Sequence, residues 1–233
     1  MKNIGVIPGR FNPATLAHAK LFKKALAENK DGVYVVLIRG VKSSADTSRN
    51  PLDAKTQEQL ILHLTPEIDV IEASAGSVPD IIYRILSPDR SLFLGDNQYH
   101  FTFYCGNDRY AGYKRQADTP AYAQEAIDAL KEDNVTIKSI SIDIELIERE
   151  GIGTVTKKIN YSRPPTDAEI TTYSASAVRA AIISGNDNLA MRIMGLEEND
   201  EYLYQKIARM ITKGMIEKIV HEKIISILED VNE

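Results

Sequence analysis

Gly9-Arg10-Phe11-Asn12-Pro13-Ala14-Thr15-Leu16-Ala17-His18 follows directly on the apolar run Ile4-Gly5-Val6-Ile7-Pro8. A buried strand that breaks into a Gly/Pro turn and reopens as a helix leaves unpaired N–H groups at the carboxyl edge of a sheet. Those amides and the positive end of the helix dipole both favour an anion, phosphate above all. Arg10 in the turn and His18 in the first helical turn add a cation and a donor at the same place. Taken alone, the stretch reads equally as a plain strand–helix turn capped by Thr15, with a surface histidine.

Leu16, Ala19, Phe22 and Leu26 form a helical stripe within Thr15 to Glu28. Val33-Tyr34-Val35-Val36-Leu37-Ile38 is a continuous apolar run suited to a central parallel strand. Gly40 to Asn50 is polar, carries Lys42, Ser43, Ser44 and Arg49, and is expected to be a loop. A helix is expected from Pro51 to His63, a strand at Ile68 to Ile71, and a helix at Val78 to Leu86. Strands are expected at Ser91 to Leu94 and at Phe101 to Cys105, the latter ending in Gly106-Asn107-Asp108-Arg109. A helix at Pro120 to Lys131 and a strand at Val135 to Ile142 complete the alternation.

That alternation predicts an α/β fold, a Rossmann-like parallel sheet with helices on both faces and a C-terminal helical part. Ligands of such sheets bind beyond the carboxyl ends of the strands, near the point where strand order reverses. The Gly9 and Gly106 turns are both expected there. Ile144 to Ile147 and Gly153 to Thr156 suggest a hairpin around Gly151 and Gly153, followed by a Ser162 to Pro165 loop. Thr172 to Arg179 leads into a helix ending near Gly185, and Asn188 to Asp230 is helical, with a stripe through Ile207, Ile211, Met215 and Ile219. The expected division is a main domain of residues 1–185 and a helical extension of residues 186–233 packed on it.

With 233 residues, 43% hydrophobic and 26% charged, the composition is that of a globular chain. A net charge of -5 argues against broad, sequence-independent nucleic-acid binding. Cys105 is the only cysteine, which excludes an intramolecular disulfide and a cysteine-cluster zinc site. The four histidines (His18, His63, His100 and His221) lack metal-ligand spacing, so no protein-held metal site is expected. No apolar run approaches the ~18 residues of a membrane span. The expectation is a cytoplasmic chain without nucleic-acid or membrane partners, with a homo-oligomer left open.

A second cluster lies far along the chain. In Tyr173-Ser174-Ala175-Ser176-Ala177-Val178-Arg179 two hydroxyls and a guanidinium fork stand at a helix start, a combination able to grip phosphate oxygens. Alone it reads more simply as an N-cap with a surface arginine. With both clusters present in this order, the chain resembles the HIGH-type nucleotidyltransferase superfamily of adenylyl- and cytidylyltransferases. The signatures of that superfamily are a Gly-x-Phe-x-Pro-x-His/Thr-x-Gly-His turn and an Ile-Ser-x-Thr-x-x-Arg helix start. The Gly-Arg-Phe opening is most similar to archaeal-type and phage-encoded nicotinamide mononucleotide adenylyltransferases. Asn50-Pro51-Leu52 and Gly106-Asn107-Asp108-Arg109 also look like stations of that pattern, so the resemblance covers roughly residues 1–195.

The resemblance implies catalytic roles for His18, Arg10 and Arg179, each opposing charge on the nucleotide's phosphates. It implies nucleotide binding by Gly9, Phe11, Asn12, Thr15, Gly106, Asp108, Ser174 and Ser176, with Asp108 a candidate for ribose hydroxyls. Thr15 stands where many members have the first histidine, and three departures stand out: Ala17 for a glycine, Tyr173 for isoleucine and Ser176 for threonine. The implied reaction moves AMP from ATP to a small phosphorylated acceptor, nicotinamide mononucleotide being the first candidate, and releases pyrophosphate. Mg²⁺ is expected to be held mainly by the nucleotide's phosphates. Lys42 and Arg49 are candidates to close over the phosphates. The alternatives are a cytidylyltransferase, another adenylyltransferase of the superfamily, or a nucleotide-binding module without turnover.

Overall fold

The computed structural model of the chain describes residues 1–40, 46–88, 97–147 and 165–231. In chain order the elements are β1 (Lys2–Gly9), α1 (Leu16–Glu28), β2 (Val33–Ile38), α2 (Ala54–Leu64), β3 (Asp69–Ala73) and α3 (Val78–Leu86). Then follow β4 (Gln98–Cys105), α4 (Asn107–Ala117), α5 (Pro120–Glu132), β5 (Ser139–Leu146), α6 (Asp167–Ile170), α7 (Ala175–Ile183), α8 (Asp187–Met194) and α9 (Glu201–Val231). The chain forms two compact units. The first comprises Met1–Arg10, His18–Gly40 and Thr65–Gly153, and the second Phe11–Ala17, Val41–Leu64 and Thr154–Glu233.

The first unit holds a five-stranded sheet in the order β3-β2-β1-β4-β5, every pair parallel. This is the expected Rossmann-like α/β fold. One face carries Ile4 and Val6 of β1, Tyr34 and Val36 of β2, and Tyr99, Phe101 and Phe103 of β4. These pack with Ile81, Ile82 and Ile85 of α3, Tyr113 of α4 and Leu130 of α5, giving a closed apolar layer. On the other face the Tyr104 hydroxyl donates to Glu28 (2.7 Å) and accepts from Asn29 Nδ2 (2.6 Å), tying β4 to the end of α1. Burial, reinforced by the Glu28 carboxylate, raises the Tyr104 phenol far above its ordinary range.

The last strand runs from Ser139 to Leu146, later than the 135–142 expected. Asn134 takes a left-handed φ of 63°, and the Val135 amide donates back to Leu130 O at 2.9 Å while Asn134 N reaches Lys131 O at 3.0 Å. These paired bonds close the end of α5 and use Val135 for it, so the strand starts four residues on. Ile144 to Leu146, expected in a hairpin, are the end of this strand. Ile147 follows the strand, its amide donating to Cys105 O at 2.8 Å. Gly151 and Gly153–Thr156 of that hairpin, the Ser162–Pro165 loop up to Pro164, the Ser91–Leu94 strand and Lys42 lie outside the described residues.

In the second unit the helical C-terminal stretch is broken at Gly195, whose φ of 69° ends α8. A 3-10 turn at Glu198–Asp200 then leads into α9. The inner half of α9 buries Tyr204, Ile207 and Ile211, with Tyr204 hydrogen-bonded to Asp187. From Ile216 to Ser226 every residue of α9 is exposed. Among the described residues no helix is long and apolar enough to cross a membrane.

Candidate functional site

Within the second unit the Phe11–Ala17 part of the first stretch meets the second stretch. Asn12, 5% exposed, pairs with the main chain of Leu52: its Oδ1 accepts from Leu52 N at 3.0 Å, and its Nδ2 donates to Leu52 O at 3.5 Å. Gln57 on α2 donates through Nε2 to Phe11 O at 3.3 Å. Arg179 on α7 donates through Nη1 to Asn12 O at 2.6 Å and to Arg49 O at 3.4 Å, and through Nη2 to Ser176 Oγ at 3.2 Å. Held at these points, Phe11 adopts a φ of 43°, a conformation costly for a bulky side chain. Such backbone persists only where the surroundings over-determine it, which is a mark of functional turns.

Asn12 and the Phe11 carbonyl are thus tied into the turn itself. Phe11, Asn12 and Thr15 are buried, Thr15 completely. Ser176 is exposed, while Ser174 and Arg179 are half-buried. Ser174 is the N-cap of α7 by its extended backbone, without a side-chain capping bond, and its carbonyl accepts from Ala177 N at 2.9 Å. Next to this cluster, Asp46 accepts from Ser48 Oγ (2.7 Å) and Arg49 N (3.2 Å). The Ser48 bond, with the Arg49 amide and charge, holds the Asp46 carboxyl below its usual range. The Arg49 guanidinium lies 3.5 Å from Asp46.

The remaining designated residues belong to the first unit. Gly9 ends β1, and Gly106 follows directly on β4. The β1–β4 register pairs Val6 with Phe103, so counting on puts Gly9 level with Gly106. Strand order reverses between these two strands, which makes their carboxyl ends the switch point of the sheet. Gly106 is also the N-cap of α4, with Asp108 in its first turn. Arg10 is exposed. His18 lies on α1, half-buried, its ring 6.4 Å from that of Phe22 one turn on.

A cleft of about 460 Å³ also opens in the first unit, lined by Glu28, Thr102, Lys114, Asp118, Asp143 and Glu145 among others. Four carboxylates against one lysine repel a polyphosphate, so this cleft is no candidate for one. Lys24 is hydrogen-bonded to Glu145. Among the described residues no group of three or more His, Cys, Asp or Glu is placed to hold a metal.

Sequence reasoning missed Gln57 and the Arg49 carbonyl. The signal for Gln57 was a polar residue on the apolar face of α2, where Thr56, Gln57, Leu60 and Ile61 are all buried.

No family model and no curated protein sequence matches the chain. Among solved structures, a bifunctional NMN adenylyltransferase/ADP ribose pyrophosphatase from Francisella tularensis superposes with a TM-score of 0.51 at 12% identity. The match covers 97% of this chain and 57% of that one. The fold is therefore that of an adenylyltransferase structure. A NadR protein in complex with NR gives a TM-score of 0.40 at 19% identity, covering 64% of this chain and 38% of that chain. The nicotinic acid mononucleotide adenylyltransferase of Plasmodium falciparum, complexed with NaAD, gives 0.38 at 16% identity, covering 78% and 84%. The chain thus spans little more than half the length of the Francisella protein and well under half that of NadR.

Proposed function

We propose that the chain is a nucleotidyltransferase that moves AMP from ATP to a small phosphorylated acceptor, with nicotinamide mononucleotide as the first acceptor to test. The observation that carries this reading is the 2.6 Å bond from Arg179 Nη1 to Asn12 O, which joins the two motif stretches across 167 positions of sequence. The adenylyltransferase-like fold and the switch-point position of Gly9 and Gly106 support it.

In this reading an acceptor phosphate oxygen attacks the α-phosphorus of ATP, the bond from that phosphorus to the α,β-bridging oxygen breaks, and the β- and γ-phosphates leave together as pyrophosphate. Two polyanions must approach each other, so the protein's part is positioning and charge stabilisation. Arg179 holds the turn from Phe11 to Ala17 and bears on the nucleotide's phosphates beside Ser174 and Ser176. Arg10 and His18, the chain neighbours of that turn, oppose the charge that develops at the α-phosphate. Gly9 and Gly106 leave room for the nucleotide, and Asp108 takes the ribose hydroxyls. Buried Phe11, Asn12 and Thr15 act by shaping the turn.

The cations and hydroxyls of this cluster suit a metal that arrives with the triphosphate rather than one caged by carboxylates, since Asp46 is engaged by Ser48 and Arg49. Mg²⁺ bound in that way supplies further neutralisation of phosphate charge.

The test is pyrophosphate release by the purified chain with ATP or CTP, Mg²⁺ and a panel of phosphorylated acceptors, with mass analysis of the product. Release with one acceptor and ATP, lost in His18→Ala, supports the reading. Release with CTP alone makes the protein a cytidylyltransferase, and nucleotide binding without release makes it a binding module.

A further inference from the structure

A glycine in the middle of a long helix weakens it relative to alanine, so Gly214 on α9 calls for a steric reason. The reason is the turn before α2. A Cβ at position 214 would lie 2.3 Å from the Thr47 carbonyl oxygen, 3.0 Å from its carbon and 3.4 Å from Pro51 Cβ. The helix backbone is thus seated directly on the main chain of the Asp46–Pro51 turn.

Neither partner can give way freely. The inner half of α9 is pinned by fully buried Ile207 and Ile211, by the Lys206–Gln59 hydrogen bond (2.9 Å) and by the Thr56 hydroxyl on Met210 Sδ (3.7 Å). The turn is braced within itself, Asp46 O accepting from Arg49 N (3.2 Å) and Asn50 N (2.9 Å) while Asp46 Oδ1 accepts from Ser48. A push at Thr47 is therefore passed to Arg49, whose carbonyl accepts from Arg179.

We propose that Gly214 is a positioning residue for the nucleotide site. By carrying no side chain it lets α9 set the height of the 46–51 turn, and so the placement of the Arg49 carbonyl that steadies Arg179. What Arg179 then binds rests on the function proposed above; the mechanical coupling does not.

The experiment uses the full chain with Gly214→Ala, Asp46→Ala, the double variant, and Gly112→Ala as a control. Gly112 is also helical, but a Cβ there meets nothing within 4 Å. Amide hydrogen exchange at Thr47 to Asn50, without ligand, reads the coupling directly. Folded Gly214→Ala is expected to exchange there at least about tenfold faster and to raise KM for ATP about tenfold, with kcat within about threefold of wild type. Gly112→Ala should change none of these. Asp46→Ala, which loosens the same turn from its other side, should raise KM similarly, and the double variant should be no worse than the worse single.

Unchanged exchange at 47–50 in folded Gly214→Ala, or effects that multiply in the double variant, overturns the proposal. Should Gly214→Ala not fold, Met210→Ala decides, since it loosens the seat of α9 on Thr56 without touching the turn: faster exchange at Thr47 to Asn50 supports the coupling and unchanged exchange overturns it. A wild-type chain that releases no pyrophosphate sinks the proposed function, while the exchange experiment still judges the coupling.

Discussion

Arg179 and Asn12 meet through a side-chain donor and a main-chain acceptor 2.6 Å apart. An arginine that holds a carbonyl of the turn it serves cannot be replaced by charge alone. Lysine keeps the cation but lacks the planar fork that reaches Asn12, Arg49 and Ser176 together. Arg179→Lys is therefore expected to lower kcat/KM for pyrophosphate release about 100-fold, roughly 2.7 kcal/mol, and Arg179→Ala to lower it further. Steady-state kinetics check both variants.

Gln57 offers a test of the turn without the chemistry. Gln57→Leu keeps the volume of a side chain that is 2% exposed but removes the amide that donates to Phe11 O. The expected cost is about 1–3 kcal/mol of stability, with Tm falling roughly 2–4 °C for each kcal/mol. Thermal unfolding followed by circular dichroism measures it.

His18 should behave in the opposite way. It is half-buried on α1, with its ring 6.4 Å from that of Phe22. His18→Ala is expected to cut pyrophosphate release by about 100- to 1,000-fold while Tm moves by no more than about 2 °C. Equal losses of stability and activity would remove His18 from the proposed chemistry.

The sheet core predicts sensitivity to alkali. Burial, helped by the Asp108 charge, pushes the Cys105 thiol from its ordinary 9.0 to about 11. Burial pushes the Tyr113 phenol from 10.0 to about 12. Both shifts favour the neutral form in the fold. Their stabilisation is thus complete below the unfolded values and is lost as pH climbs through about 11 and then about 12. Urea midpoints measured from pH 8 upward should hold level to about 9 and then decline. At pH 8 an aromatic disulfide reagent should label Cys105 in urea but scarcely in the folded chain.

The legible parts of this protein were those written locally. The Gly-x-Phe-x-Pro turn, the Val33–Ile38 run and the stripe of α1 each carry their signal within a dozen residues, and the parallel sheet follows from their alternation. Asn50-Pro51-Leu52 stood out in the sequence, but not as the strip of main chain that Asn12 grips, because a side-chain-to-backbone pair leaves no pattern in residue types. The same holds for the Arg49 carbonyl and for Gly214, whose significance lies in what another segment places against it. Strand β5 was misplaced for a different reason. Val135 looks like a strand residue, yet its amide closes the preceding helix, a competition that only Asp133-Asn134 hinted at.

Helix α9 is two physical objects under one hydrogen-bond ladder. As far as Met215 it is held by side chains beneath it. Beyond, Ile216, Ile219, Val220 and Ile224 are each about half exposed, and the Lys213–Glu217 and Lys218–Glu222 pairs are the local ties. An unsupported helix of that length would scarcely nucleate in water, but here nucleation is supplied by the anchored half and only propagation remains. The outer turns should accordingly melt gradually, turn by turn, on warming. Ellipticity would then slope downward before the cooperative transition of the body, and a helix-favouring cosolvent would flatten that slope without shifting the midpoint in proportion.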